Sequence, residues 1–206
     1  MVLFAAQKSA RLGQPTRRFA LFRLPQTTAL ALRREILAKY ELPDNWPVPN
    51  EYLVELGRIS MLFGLLESHV NLAISKLSGY DGALDWRSAV STAHANFKQR
   101  VDILETLCHE LHDEYPSLAG YAAVIKNIKS VQNGRNKYAH NTMGFNEDSG
   151  NVELSSLSAR GKLRPKIEIL SIHDLRDLSA KIHQTQLDLH HLITGARYKP
   201  VWKSLC

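Results

Sequence analysis

The chain has 206 residues, 44% of them hydrophobic and 22% charged, with a formal net charge of +6. That length buries a real core in one domain and leaves room for a tail. Two cysteines, Cys108 and Cys206, exclude a disulfide framework and a cysteine-built zinc site.

The charge is unevenly placed. Seven of the 26 Lys and Arg fall in residues 1–34 without a single acid, leaving 19 bases against 20 acids in the remainder. Residues 1–40 therefore read as a basic, loosely ordered extension. Its composition also fits a transit peptide or a nucleic-acid-binding arm. Residues 41–50 carry Pro43, Pro47 and Pro49 and read as a linker, because proline holds itself and its predecessor out of helical geometry. The folded domain is expected over 51–196, with 197–206 as a C-terminal tail.

Asn50 reads as an N-cap with Glu51 in the first turn of a helix. Tyr52, Leu56, Ile59, Phe63, Leu66, Val70, Ala73 and Leu77 then repeat at four- and three-residue steps, the seam of a packed helix. Away from that seam stand Gly57, Gly64, Ser68 and Ser75, with Ser60 nearby. Such small residues suit close helix packing within the chain or between copies. The run is interrupted by Glu67, His69, Asn71 and Lys76, so it is no membrane span. "SGYDG" (78–82) ends it with turn formers.

A second helix is predicted from Asp85 to Glu114, with Ala89, Ala93, Phe97, Val101, Leu104 and Leu111 near one face. Pro116 breaks the chain, and a third helix runs from Leu118 to about His140. The pattern then alternates around Val152 and Leu154, turns at "ARGK", and alternates again around Ile167 and Ile169, as a two-stranded hairpin does. "SIHD" (171–174) is a capping box for a last helix carrying Leu175, Leu178, Ile182, Leu189 and Leu192. The expected fold is all-α, an up-and-down bundle of about four helices with a β-hairpin inserted before the last one.

The stretch that stands out is "NGRNKYAH", Asn133 to His140. At about 100° per residue, Arg135 falls on the apolar stripe of the third helix, together with Val124, Ile125, Ile128, Val131 and Tyr138. Asn136 and His140 are i,i+4 neighbours at the edge of the stripe, joined by Lys129, while Asn133, Lys126 and Lys137 continue around the polar side. A guanidinium in such a place calls for a carboxylate, a phosphate or a subunit boundary. Two readings stand: a structural ion pair with a polar helix end, or a phosphate-handling cleft with lysines on its rim.

"RNKYAH" resembles the R-x4–6-H signature of the HEPN superfamily, in its RN-x3-H form. The predicted context, a helix end in an α-bundle followed by a polar segment and a further helix, is similar too. So is "LGRISMLFGLLESHVNLAISKL" (56–77), with Glu67 inside an apolar run. The resemblance covers roughly residues 50–195. It implies a metal-independent, cofactor-free endoribonuclease of the bacterial or phage toxin and defence type, acting as a homodimer whose two motifs face one cleft. In that reading Arg135, Asn136 and His140 are catalytic. Lys129, Lys137 and Asn133 bind the RNA. Separately, the apolar surroundings of Glu67 suggest it as an ion-pair partner for Arg135 in the resting state. An antitoxin or regulatory protein is the partner expected of such a toxin, in the cytoplasm and away from membranes. Thr142 stands where some members carry a tyrosine that receives AMP, so that form of neutralisation is not implied. The alternative is a catalytically silent HEPN-like dimer that binds RNA, nucleotide or protein.

Other constellations are weaker. His109 and His112 in "CHELHDE" are i,i+3 but form no H-E-x-x-H motif. His190 and His191 point about 100° apart, a poor bidentate pair. No phosphate-binding glycine loop, dinucleotide fingerprint or nucleophile elbow is present.

Overall fold

The computed structural model describes residues 46–80, 85–158 and 161–201. The basic segment and the first half of the proline-rich linker lie outside the described residues. Within them the chain is mostly helical, with one small three-stranded antiparallel sheet.

Helix α1 spans Asn50–Leu77. The residue before it is Pro49, which supplies no capping side chain, so Asn50 is the first helical residue and not the cap. The seam forms as the spacing predicts. Ile59, Phe63, Leu66, Val70 and Ala73 are buried, with Tyr52, Leu56 and Leu77 packed at the margin of the same core. Among the small residues, Gly57, Gly64 and Ser68 are exposed while Ser75 is buried. Gly79, at φ +80°, turns the chain away after Leu77 in a conformation that glycine adopts without penalty.

The single helix expected over Asp85–Glu114 is two: α2 (Trp86–Thr92) and α3 (Phe97–Leu111). Each starts on its own cap. Asp85 accepts the amide of Arg87 at 2.9 Å. Asn96 and Gln99 close a reciprocal capping box, Gln99 N to Asn96 Oδ1 at 3.0 Å and Asn96 N to Gln99 Oε1 at 2.8 Å. That box satisfies amides a helix start leaves orphaned, so a new helix begins where the apolar spacing alone ran on.

A short 3-10 turn, Pro116–Gly120, leads into α4 (Tyr121–Ala139), whose buried side chains are Val124, Ile125, Ile128 and Val131. Strands β1 (Thr142–Asn146), β2 (Asn151–Ser158) and β3 (Arg164–Ile169) follow, in the order β1-β2-β3. The sheet thus has one strand more than the expected hairpin. β1 pairs Met143 with Leu154 and Phe145 with Val152, and its Phe145 amide donates to the Pro47 carbonyl at 3.0 Å. Val152 and Leu154 face the core, whereas Ile167 and Ile169 of β3 are exposed on the other face. Helix α5 (Ile172–Thr194) opens on the capping box of Ser171 and Asp174.

Contacts between helices give their directions. Along α1 and α5 the pairs Glu55–Arg176, His69–His190 and Lys76–Ile193 rise together, so these neighbours are parallel. Against α5, α4 runs the other way, through Ser130–Lys181 and Gly134–Leu178. It also opposes α3, through Lys129–Glu105 and Tyr121–His109. The strict alternation of an up-and-down bundle is therefore broken between α1 and α3, where the segment containing α2 carries the chain back. Cys108 of α3 is fully buried in this core, and burial pushes its thiol up to about 11. It is expected to stay unmodified by a thiol reagent in the folded protein and to react on unfolding, as a thiol-titration assay would read.

Candidate functional site

The motif occupies the last turns of α4. Gly134 leaves the helix unbroken to Ala139. Its role is packing, since a Cβ there would stand 2.8 Å from the Leu178 side chain of α5. Four residues beyond the buried Val131, Arg135 continues the apolar stripe and is half-buried. Its guanidinium lies 5.1 Å from the centre of the Phe63 ring of α1, and its Nη1 donates to Asn136 Oδ1 at 3.2 Å. Among the described residues no carboxylate stands within ion-pair distance of it. A cation on an aromatic face gains about 0.5–2 kcal/mol, which offsets part of its desolvation but leaves its charge uncompensated.

Asn136 is half-buried and spends its carbonyl on Arg135, which leaves its N–H donors for another acceptor. His140 is the C-cap residue, its amide donating to the Asn136 carbonyl at 3.2 Å and its side chain exposed. Arg135, Asn136 and His140 thus share one helix end, at which an inward guanidinium gives way to an exposed imidazole.

The other expected residues are placed differently. Glu67 pairs with Arg100 of α3 at 3.6 Å, not with Arg135. It lies one turn beyond Phe63 on α1, and the cation nearest that height comes from α3. Lys129 is turned to α3, with Nζ 2.6 Å from Glu105 and 3.9 Å from Asp102. Lys137 reaches the base of the sheet and binds Glu168 at 2.6 Å, where Lys166 also contacts the same carboxylate. Asn133 is exposed on α4. Both lysines are therefore occupied by carboxylates in this structure.

Glu168 is held well below the usual carboxylate range, at about 2, first by its hydrogen bond from Lys137 and then by Lys166; Lys137 is raised in turn. A depressed carboxylate contributes stability above its unfolded value and loses it as pH falls through the folded one. The Lys137–Glu168 tie therefore holds from neutral pH down to about 2. Glu168→Gln is expected to release Lys137 beside the motif and bring its raised pKa back toward the ordinary lysine value, as an NMR titration of the ammonium would read.

His109 and His112 stack 5.6 Å apart beside Tyr121, whose hydroxyl lies 3.1 Å from His109 Nδ1. Sequence reasoning did not find Phe63 as the seat of Arg135. Phe63 reads as one more seam residue, and only the tertiary contact distinguishes it. Comparisons with protein-family models, with curated proteins and with solved structures return no match to the chain.

Proposed function

We propose that the protein is a metal-independent endoribonuclease of HEPN type, cutting RNA at a cleft shared by two copies and serving toxin or defence activity. The observation that carries this reading is Arg135: a half-buried guanidinium with no carboxylate partner among the described residues, set on the Phe63 ring and followed five residues later by an exposed imidazole. A structural arginine at such a place is ordinarily neutralised. One left uncompensated, with a histidine at hand, is suited to a phosphate.

The chemistry is transesterification. The RNA 2′-oxygen attacks the adjacent phosphorus and gives up its proton to a base. The P–O5′ bond breaks, and the departing 5′-oxygen takes a proton from an acid. His140 serves as one of these groups, since an imidazole offers both a proton-accepting and a proton-donating nitrogen. Arg135 binds the charge that builds on the phosphorane oxygens through its planar fork. Asn136 anchors the guanidinium and offers N–H donors to the phosphate. The products are a 2′,3′-cyclic phosphate and a 5′-hydroxyl. Each copy supplies one such histidine, so a two-fold partner supplies the second, which is the reason to propose a homodimer.

The test is cleavage of varied RNAs in excess EDTA by wild type, Arg135→Ala and His140→Ala. Cyclic-phosphate products from wild type alone support the reading. Intact RNA with wild type, or equal cutting by the His140 variant, overturns it.

A further inference from the structure

A polar cavity lies away from the motif, between the later half of α1, α2 and the first turn of α3. Its volume is about 510 Å³, and its polar lining is Ser68, Asn71, Ser75, Asp85, Ser88, Thr92 and Arg100. Its remaining walls are mainly alanine, which keeps it open. The Arg100 side chain is only 17% exposed. Nη1 donates to Asn71 Oδ1 at 3.1 Å, and Nη2 has one loose contact, Glu67 at 3.6 Å. Its Nε is buried without a partner, and so is Oγ of Ser75, a residue only 5% exposed. Two buried orphan polar groups on residues that line one cavity call for an explanation, since buried donors are nearly always satisfied.

We propose that this cavity binds a phosphate ester, borne by a free nucleotide or by an RNA strand, with Arg100 as its principal contact. The guanidinium is a planar fork of donors with an unfilled place. It sits in the first turn of the 15-residue helix α3, where the helix field favours an anion. Serine and threonine hydroxyls around it match phosphate and ribose oxygens. Asp85, the carboxylate in the lining, is already bound by Arg87 through both of its oxygens, at 3.0 and 2.6 Å. Glu67 is the competing anion, and its 3.6 Å contact makes it displaceable. The site does not rest on the ribonuclease reading, because no motif residue lines it. The two are nevertheless close: Arg135 lies on Phe63, Arg100 on Phe97, and those rings are 4.9 Å apart. The guanidinium carbons are therefore less than about 16 Å apart, within reach of one short RNA strand.

The experiment titrates the full chain with inorganic phosphate, adenosine 5′-monophosphate and a short RNA by calorimetry at low salt. Saturable binding is expected, weakened about tenfold or more in Arg100→Gln. Glu67→Gln strengthens binding several-fold by removing the competitor, a gain that a purely structural Arg100–Glu67 pair would not give. Mononucleotide binding identifies a nucleotide site, and Arg100-dependent binding of RNA alone identifies a strand site. Should thermal melting show Arg100→Gln to be unfolded, Arg100→Lys takes its place; it keeps the charge, loses the fork, and is expected to bind with intermediate affinity. Binding absent from wild type into the millimolar range, or indifferent to both Arg100 and Glu67, overturns the proposal. RNA left intact by wild type, together with Arg100-dependent binding, would end the ribonuclease reading and leave this site standing.

Discussion

Arg135→Leu is expected to cut RNA cleavage by about a hundredfold or more while leaving the fold at least as stable as wild type. The two effects come from the same placement. Arg135 follows Val131 on the buried stripe of α4, so leucine completes a pattern that the charge interrupts. Half-burying a leucine there gains about 1 kcal/mol. The lost contact with Phe63 costs about the same, since an arginine over a ring is worth roughly 0.5–1 kcal/mol at a partly exposed site. Asn136 loses one neutral acceptor role, which the half-exposed amide replaces with water. Thermal melting and a cleavage assay on the same preparation read the pair of outcomes. A variant that melts far below wild type would show that the guanidinium holds the bundle together. A fall in cleavage could then no longer be assigned to phosphate handling. Stability gained where activity is lost is the usual signature of a residue kept for function.

The helices were legible because their signals are local. The seam of α1 from Tyr52 to Leu77 and the capping box of Ser171 and Asp174 are written in spacing and residue type, and both formed as read. The break between α2 and α3 was legible too, in Asn96 and Gln99, but it needs the cap to be weighed above the apolar period that runs through it. Strand β1 was not. Thr142–Asn146 is five residues long with a glycine at its centre, and it is held by β2 and by the Pro47 carbonyl, partners distant in sequence. The site divides the same way. A helical wheel gives azimuth, and it placed Arg135 correctly on the inward stripe. It gives neither height nor partner, so it could not assign Glu67 to Arg100 or seat Arg135 on Phe63. The lysines around the motif looked free because Glu105 and Glu168 reach them from other elements.

His140→Ala carries the other large effect, an expected loss of about 10²–10⁴-fold in cleavage, the range for removing a positioned acid or base. Little stability is at stake, because the side chain is exposed at the end of α4 and the capping hydrogen bond belongs to its backbone. The more informative form of the experiment is a mixed dimer. Wild-type and His140→Ala chains carrying different tags are co-expressed, and the heterodimer is isolated through both tags. If one cleft draws its base from one copy and its acid from the other, a heterodimer with a single histidine lacks one of the two. Its rate then falls by nearly as much as that of the double variant. If each copy cuts with its own histidine, the heterodimer keeps half the wild-type rate. Half activity would remove the shared cleft and leave the chemistry of Arg135 and His140 in place. A near-complete loss ties the reaction to both histidines of the dimer, as two helix ends facing one cleft require.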